Sequence, residues 1–431
     1  MKETEKVKVF ALGGVDEVGK NMYVVEDRNN IFILDAGLML PEDEMFGVDA
    51  VIPDITYLLE NRERIKAVFL SHGHVDHIGA LGYFLNRINV PVYGTKLTLG
   101  LAEELLKGRH SVNHYNFKVI DSNSKITIDE TTFTFFKVNH SIPDAIGIAI
   151  HTAQGIIVYT GDFKFDQTPI NNEHTEISKL VKLREQGVIC LLSDSMNAES
   201  PGTTPSESTV GHHIFEVISN ATGRVITATF AMNIHRIQQV IDAAEKLNRK
   251  VAVAGKPLLR NIEIASKLGH LHISKTNIIP IHELKKYAND QVVILTTGDY
   301  GEPLAALYKM ATRTHKQIRI EEGDTVIIAT SATYGNEKAL SKTIDVLYRA
   351  GADVVSEKSG VHVNGHASQE ELKLMINLVK PKYFIPIHGE YRMQKAHADL
   401  ALECGISKEH IFMIEKGDVV EFSHGSAKRS E

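Results

Sequence analysis

Short apolar runs rich in β-branched and aromatic residues, broken by Gly, Asn or Asp, fill the first third of the chain. They read "KVKVFALGG", "NMYVVED", "NIFILDAG", "IKAVFLS", "VPVYG", "KITIDETTFTFFKV", "IGIAIHT" and "GIIVYTGD". Such runs predict strands. A helical pattern, "TLGLAEELLKGRH", lies among them, and several strands follow one another at hairpin spacing, which favours layered mixed sheets over a Rossmann unit. From about residue 208 to 367 the rhythm changes: "RVITATF", "KVAVAG", "VVILTTG" and "TVIIATS" are separated by helices such as "IHRIQQVIDAAEKL", the signature of a parallel, doubly wound sheet. From about 368, "QEELKLMINLVKPKYFIPIHGE" gives a helix, a Pro-marked turn and a strand ending in histidine. The pattern predicts an α/β protein in which residues 1–207 and 368–431 form one domain and 208–367 are inserted into it.

Composition narrows this only a little. A chain of 431 residues exceeds one ordinary core, and its 43% apolar content suits a globular protein. No stretch approaches the ~20 consecutive apolar residues of a membrane helix. The charged start "MKETEKVKVF" lacks the apolar region of a signal peptide, so a cytoplasmic protein is expected. Cys190 and Cys404 read as small buried hydrophobes, not halves of a disulfide. With a net charge of −7, the bulk composition announces no nucleic-acid binder, and a polyanion would need a local groove. Lys164, Arg236, Lys256 and Arg260 are candidates to line one, though such residues are usually ordinary solvated side chains.

The chemistry concentrates in "LSHGHVDHIGAL", where His72, His74, Asp76 and His77 follow an apolar strand. Loops held by rigid strands are common ligand sites. His72 and His74 can point the same way from extended backbone, while Asp76 and His77 come after a turn and can face a second point. A polar, solvated loop is the alternative. Other strand ends weigh against it: His140 follows "TFFKV", Asp162 ends "IIVYTGD" and His388 follows "YFIPI". Counting donors gives His72, His74 and His140 for one cation, Asp76, His77 and His388 for another, and Asp162 as the bridge. Imidazole and carboxylate together suit zinc, with manganese as a harder alternative. Asp35, ending "IFILD", can orient a liganding imidazole or simply terminate its strand.

The "SHGHVDH" motif, the spaced His140, Asp162 and His388, and the inserted α/β region together resemble the metallo-β-lactamase fold in its β-CASP form. The strings "ALGGVDEVGKNMYVVE", "GDFKFDQTP", "SDSMNAESPG", "NIHRIQQ", "HVNGHAS" and "PIHGEYRM" are similar to those of the ribonuclease J family, from about residue 7 to the end. The resemblance implies an αββα sandwich carrying a β-CASP insert. It also implies a two-metal ribonuclease, both endonuclease and 5′-to-3′ exonuclease, that acts in RNA processing and decay. His366 matches the histidine that would protonate the leaving sugar oxygen, and Asp194 the acid that would orient it; taken alone they read as a loop histidine and a helix N-cap.

The resemblance places phosphate binding at Met232 and Asn233 and along His362, Val363, Asn364, Gly365 and His366. Here the chain departs from the family pattern. Met232 and Asn364 stand where serine is expected, Asp299 and Tyr300 replace a Ser-Gln pair, and prolines are missing before Gly335. A thioether donates no hydrogen bond to phosphate and a carboxylate repels it. The expected result is a weak grip on a 5′ phosphate, similar to the second, less active paralogue of the family. That paralogue is implied to associate with its sister subunit and with itself as homodimer or tetramer. The ending "GDVVEFSHGSAKRSE" resembles the link to a C-terminal dimerisation domain, so a truncated chain with weakened self-association is expected.

Overall fold

The computed structural model describes residues 6–41, 45, 47–107, 115–274, 277–297, 303–330, 337–356 and 359–430. Three sheets organise them. The first runs in the order Ser426–Ser430, Val419–Ser423, Val7–Gly13, Met22–Asp27, Asn30–Leu34, Ile65–Phe69, Val92–Gly94, Phe117–Val119. The second runs Tyr383–Ile387, Val188–Asp194, Gly155–Tyr159, Ile146–Thr152, Thr131–Lys137, Lys125–Ile128. Both mix antiparallel hairpins with parallel neighbours.

These two sheets pack face to face. Phe32 and Phe69 from the first meet Phe133 from the second, with ring centroids 4.8 and 4.1 Å apart. Alternate residues along each strand, among them Val9, Val25, Ile148, Ile157 and Leu192, complete the layer. Helices cover the outer faces, with Ile177–Gln186, Gln369–Val379 and Tyr391–Glu403 lying on the second sheet. This is the sandwich anticipated from hairpin-spaced strands.

The third sheet, in the order Ile278–Ile279, Lys250–Ala254, Val292–Thr296, Val225–Ala228, Thr325–Ile328, Asp353–Val355, is parallel throughout its described pairs. Its central strands Val225–Ala228, Val292–Thr296 and Thr325–Ile328 are buried on both faces, which is why they read as continuous apolar runs. The helix Lys256–Lys267 packs against the helix Lys96–Leu106 of the sandwich, close enough that a Cβ at Gly100 would lie 3.1 Å from Ile264 Cγ2.

One run was more than a strand. "KITIDETTFTFFKV" folds as a hairpin, Lys125–Ile128 antiparallel to Thr131–Lys137, reversing at Asp129–Glu130. Asp129 takes the left-handed conformation, φ 52°, that a tight hairpin needs and that Asp tolerates.

Candidate metal centre

Parallel or same-direction strands deliver their C-terminal ends to one edge of the sandwich. His72 follows Ile65–Phe69, Asp35 follows Asn30–Leu34, His140 follows Thr131–Lys137, Asp162 follows Gly155–Tyr159, Asp194 ends Val188–Asp194 and His388 follows Tyr383–Ile387. His74 sits in extended conformation just before the short helix Val75–Ile78, and that helical turn carries Asp76 and His77 to the other side of the cluster.

Three four-residue groups result, all sharing Asp162, and the third joins it to Asp194, His366 and His388. Donor atoms of His72, His74, His140 and Asp162 lie within 4.8 Å of one another, as do those of Asp76, His77, Asp162 and His388. Asp162 stands between them: Oδ2 is 3.5 Å from His72 Nε2, 3.6 Å from His140 Nε2 and 3.2 Å from His77 Nε2, while Oδ1 is 2.8 Å from His388 Nδ1.

The donors suit a cation. His74 Nδ1 faces both His72 Nε2 at 3.1 Å and His140 Nε2 at 3.0 Å, a convergence of ring nitrogens that hydrogen bonding alone satisfies poorly. Burial holds the His72, His74 and His140 pKa values below their ordinary range, His140 at about 3, so these imidazoles are neutral, as ligands must be. His388 Nε2 is buried without a hydrogen-bond partner and lies 3.5 Å from Asp76 Oδ2. Burial opposes protonation of His77 and His388, but the surrounding carboxylates outweigh it and raise both pKa values. Cations placed among these donors would replace the protons that the carboxylates attract.

Asp35 supports this edge from below. Its carboxylate accepts from the Ser71 amide, the Ser71 hydroxyl and His77 Nδ1, each at 2.7 Å, and from the Tyr159 hydroxyl at 2.5 Å. With four donors on it, Asp35 is more than a turn residue, although its φ of 62° also makes the turn. His388 adopts φ 49°, uncommon for a non-glycine residue and a mark of a backbone constrained by its site.

His366 lies beside the cluster. Its Nδ1 is 2.7 Å from Asp194 Oδ2, and its ring centroid is 5.1 Å from that of His140. Burial pulls its pKa down, but the Asp194 and Asp162 charges prevail and lift it to about 9. Asp194 uses its other oxygen to accept from the Met196 amide at 3.0 Å, so it caps a turn and holds the histidine at once.

Three family descriptions match successive parts of the chain: Metallo-beta-lactamase superfamily over residues 15–187, Ribonuclease J, beta-CASP domain over 222–347, and Zn-dependent metallo-hydrolase RNA specificity domain over 352–413. The chain is 54% identical over 427 residues to Ribonuclease J2 of Bacillus subtilis (strain 168), covering 99% of this chain and 77% of that one. It is 44% identical over 422 residues to Ribonuclease J 2 of Staphylococcus aureus (strain MRSA252), covering 98% and 76%. The chain belongs to the ribonuclease J family. In fold it is also similar to a protein of unknown function from Enterococcus faecalis V583, with a TM-score of 0.68 at 17% identity, covering 96% of this chain and 100% of that one. The ribonuclease J assignment carries with it the metallo-β-lactamase sandwich, the β-CASP insert and a nuclease class that acts on RNA.

Seen as a ribonuclease J chain, the residues picked for phosphate binding separate. The end of the stretch His362–His366 lies against the cluster: Gly365 O meets His140 Nδ1 at 2.8 Å, and a Cβ at Gly365 would come within 2.9 Å of the His140 ring. Asn364 accepts from the His366 amide through Oδ1 at 3.0 Å, leaving its amide nitrogen as the side chain's donor. Val363 packs against the apolar cluster beneath the insert. Met232 belongs to that cluster and is 8% exposed, while Asn233 accepts from the Arg236 amide at 3.0 Å and caps the helix Ile234–Lys246. Asp299, Tyr300 and Gly335 lie outside the described residues.

The solvated reading of the basic residues holds for Arg260, which is exposed and pairs with Glu104 at 2.8 Å, and fails for two others. Lys164 and Arg236 are 2% and 0% exposed, so neither lines an open groove. The sequence pointed to neither burial, nor to the supporting roles of Ser71 and Tyr159. Their only signal was position: Ser71 and Tyr159 stand within one to three residues of presumed ligands at strand ends. No helix among the described residues is long and apolar enough to cross a membrane.

Proposed function

We propose that this chain is a ribonuclease that hydrolyses RNA phosphodiester bonds with two divalent cations, endonucleolytically and from the 5′ end, with the exonuclease action weak. The observation carrying the proposal is the pair of four-donor groups joined at Asp162, with His366 and Asp194 at their side. His72, His74 and His140 would hold one cation and Asp76, His77 and His388 the other, zinc or manganese by donor type. When bound, the cations would supply Lewis acidity toward the scissile phosphate and toward the attacking water.

The chain's own groups supply the rest. Asp194 occupies His366 Nδ1, so the proton available to the leaving sugar oxygen sits on Nε2. The Asp194 carboxylate against Nδ1 raises the pKa of the ring and so favours keeping that proton in place. Asp35 fixes His77 in the tautomer whose Nε2 faces the cluster. The insert, residues 208–367 in this reading, forms the opposite wall of an RNA channel.

Met232 supports the weak 5′ grip, since a buried thioether brings no donor to a phosphate. On the same footing we propose association with a paralogous ribonuclease J chain and self-association, with a largely structural, RNA-docking role as the competing outcome. The test is cleavage of 5′-monophosphorylated RNA by the wild type and by His74→Ala, each alone and with the paralogue, with zinc or manganese supplied. Activity lost in the variant is expected; undiminished cleavage sinks the two-cation mechanism. Activity confined to the paralogue would favour the structural role. Met232→Ser with Asn364→Ser should raise exonuclease activity, and an unchanged rate would remove the pocket argument.

A further inference from the structure

Behind the strap of residues 361–366, away from the metal cluster, runs a buried line of charge. Arg236, in the first turn of the helix Ile234–Lys246, has no exposed surface. Its Nε donates to Glu207 Oε1 at 2.8 Å, and its Nη1 donates to Val361 O at 2.9 Å and Ala329 O at 3.0 Å. Nη1 also lies 3.3 Å from His362 Nδ1. The Glu207 amide in turn donates to Asp166 Oδ2 at 3.0 Å, tying the pair to the sandwich.

The strap is held by its main-chain carbonyls. Val361 O takes Arg236, Asn364 O is 3.5 Å from Lys164 Nζ, Gly365 O is 2.8 Å from His140 Nδ1, and His366 O accepts from Thr204 Oγ1 at 2.7 Å. His366 hangs at the end of this strap, and Asp194 fixes only its ring. The height of the ring over the cluster therefore depends on the strap's backbone.

A desolvated ion pair is a poor source of stability compared with apolar packing of the same volume. It does supply geometry: the planar guanidinium meets a carboxylate and two carbonyls at fixed angles, which a lysine ammonium does not. Full burial excludes Arg236 from contact with a substrate phosphate in this conformation. The geometry points to Arg236, backed by Glu207, as a positioning residue for RNA cleavage that sets the strap so that His366 meets the leaving oxygen. The inference rests on the reading of His366 as proton donor.

The test uses the full chain with zinc or manganese and a 5′-monophosphorylated single-stranded RNA. It compares the wild type with Arg236→Lys, which keeps the buried charge, and with Arg236→Met combined with Glu207→Gln, which removes both charges. Arg236→Lys should lose roughly ten- to a hundredfold in kcat, the range for a small misplacement of a reacting group, while KM moves less than about threefold. The double variant should lose at least as much. Metal content should stay at the wild-type level. Amide hydrogen exchange should quicken in residues 361–366 and not in the strands Ile65–Phe69 and Gly155–Tyr159.

An unchanged kcat in Arg236→Lys overturns the inference, as does a raised KM with kcat intact, which would make Arg236 a binding residue. Loss of metal, or faster exchange across the sandwich as well, overturns it in favour of a general structural role. If the double variant does not fold, Arg236→Lys decides alone. If the wild type cleaves no RNA with either metal, the proton-donor reading falls. Exchange then decides the strap's hold on its own: confined quickening upholds it and unchanged exchange defeats it.

Discussion

At the scale of residues, His366 and Asp35 act on opposite sides of the same cluster and should fail differently. Replacing His366 by Ala removes a proton donor that shares a donor group with Asp162, Asp194 and His388, but leaves every donor of the two groups assigned to the cations in place. The expected loss in kcat is about 10²- to 10⁴-fold, the range for general acid catalysis, with metal content measured by elemental analysis unchanged. Asp35→Ala leaves the Ser71 amide, the His77 ring nitrogen and the Tyr159 hydroxyl without their common acceptor. Metal affinity should fall roughly 10- to 100-fold, read by competition with a chromophoric chelator, because the imidazole is no longer oriented. The histidines and Asp162 were legible in the sequence because liganding residue types recur at the ends of apolar runs. Lys164 and Arg236 were not, because nothing in a one-dimensional pattern distinguishes a buried, paired cation from a solvated one.

At the scale of elements, strands were legible wherever burial is simple. Continuous apolar runs became the central strands of the insert's parallel sheet, and the sandwich took both alternating runs such as Thr131–Lys137 and fully buried ones such as Val188–Asp194. The hairpin at Asp129–Glu130 was hidden because no Gly or Pro punctuates it; the turn rests on the tolerance of Asp for positive φ. The strap 361–366 was legible as a motif but not as a structure, since its shape is fixed by carbonyl contacts to residues as distant as Thr204, Arg236 and His140. Gly365 shows the consequence. A methyl group there would press on the His140 ring at 2.9 Å, so Gly365→Ala must displace either the strap or a member of the cluster. RNA cleavage should drop by about tenfold or more, the scale expected for a misplaced reacting group. Thermal stability should change by roughly 1–3 kcal/mol, the usual cost of overpacking. Wild-type cleavage by this variant would mean that the strap is free to shift.

At the scale of the whole molecule, the joint between sandwich and insert is charged and buried, which makes its strength depend on pH. Glu207 is 5% exposed and pairs with Arg236, and Asp166 accepts its amide. Burial would raise its pKa, but Arg236, Lys164 and His235 act against burial and bring it below the ordinary 4.5. A carboxyl depressed in the fold binds its proton more tightly in the unfolded chain, so its contribution to stability is full above the unfolded pKa and disappears as pH falls through the folded one. Glu207→Gln should therefore destabilise the chain at neutral pH by about 3 kcal/mol or more, because Arg236 is left buried without its counter-charge. That gap should begin to narrow as pH drops below about 4.5, where the unfolded wild type takes up the proton, and should close further as pH falls through the lower folded pKa. Parallel urea unfolding of wild type and Glu207→Gln at a series of pH values reads the gap directly. A gap constant from about pH 7 down to about pH 3 would mean that Glu207 acts through packing and its amide geometry, with no electrostatic part in joining the two units.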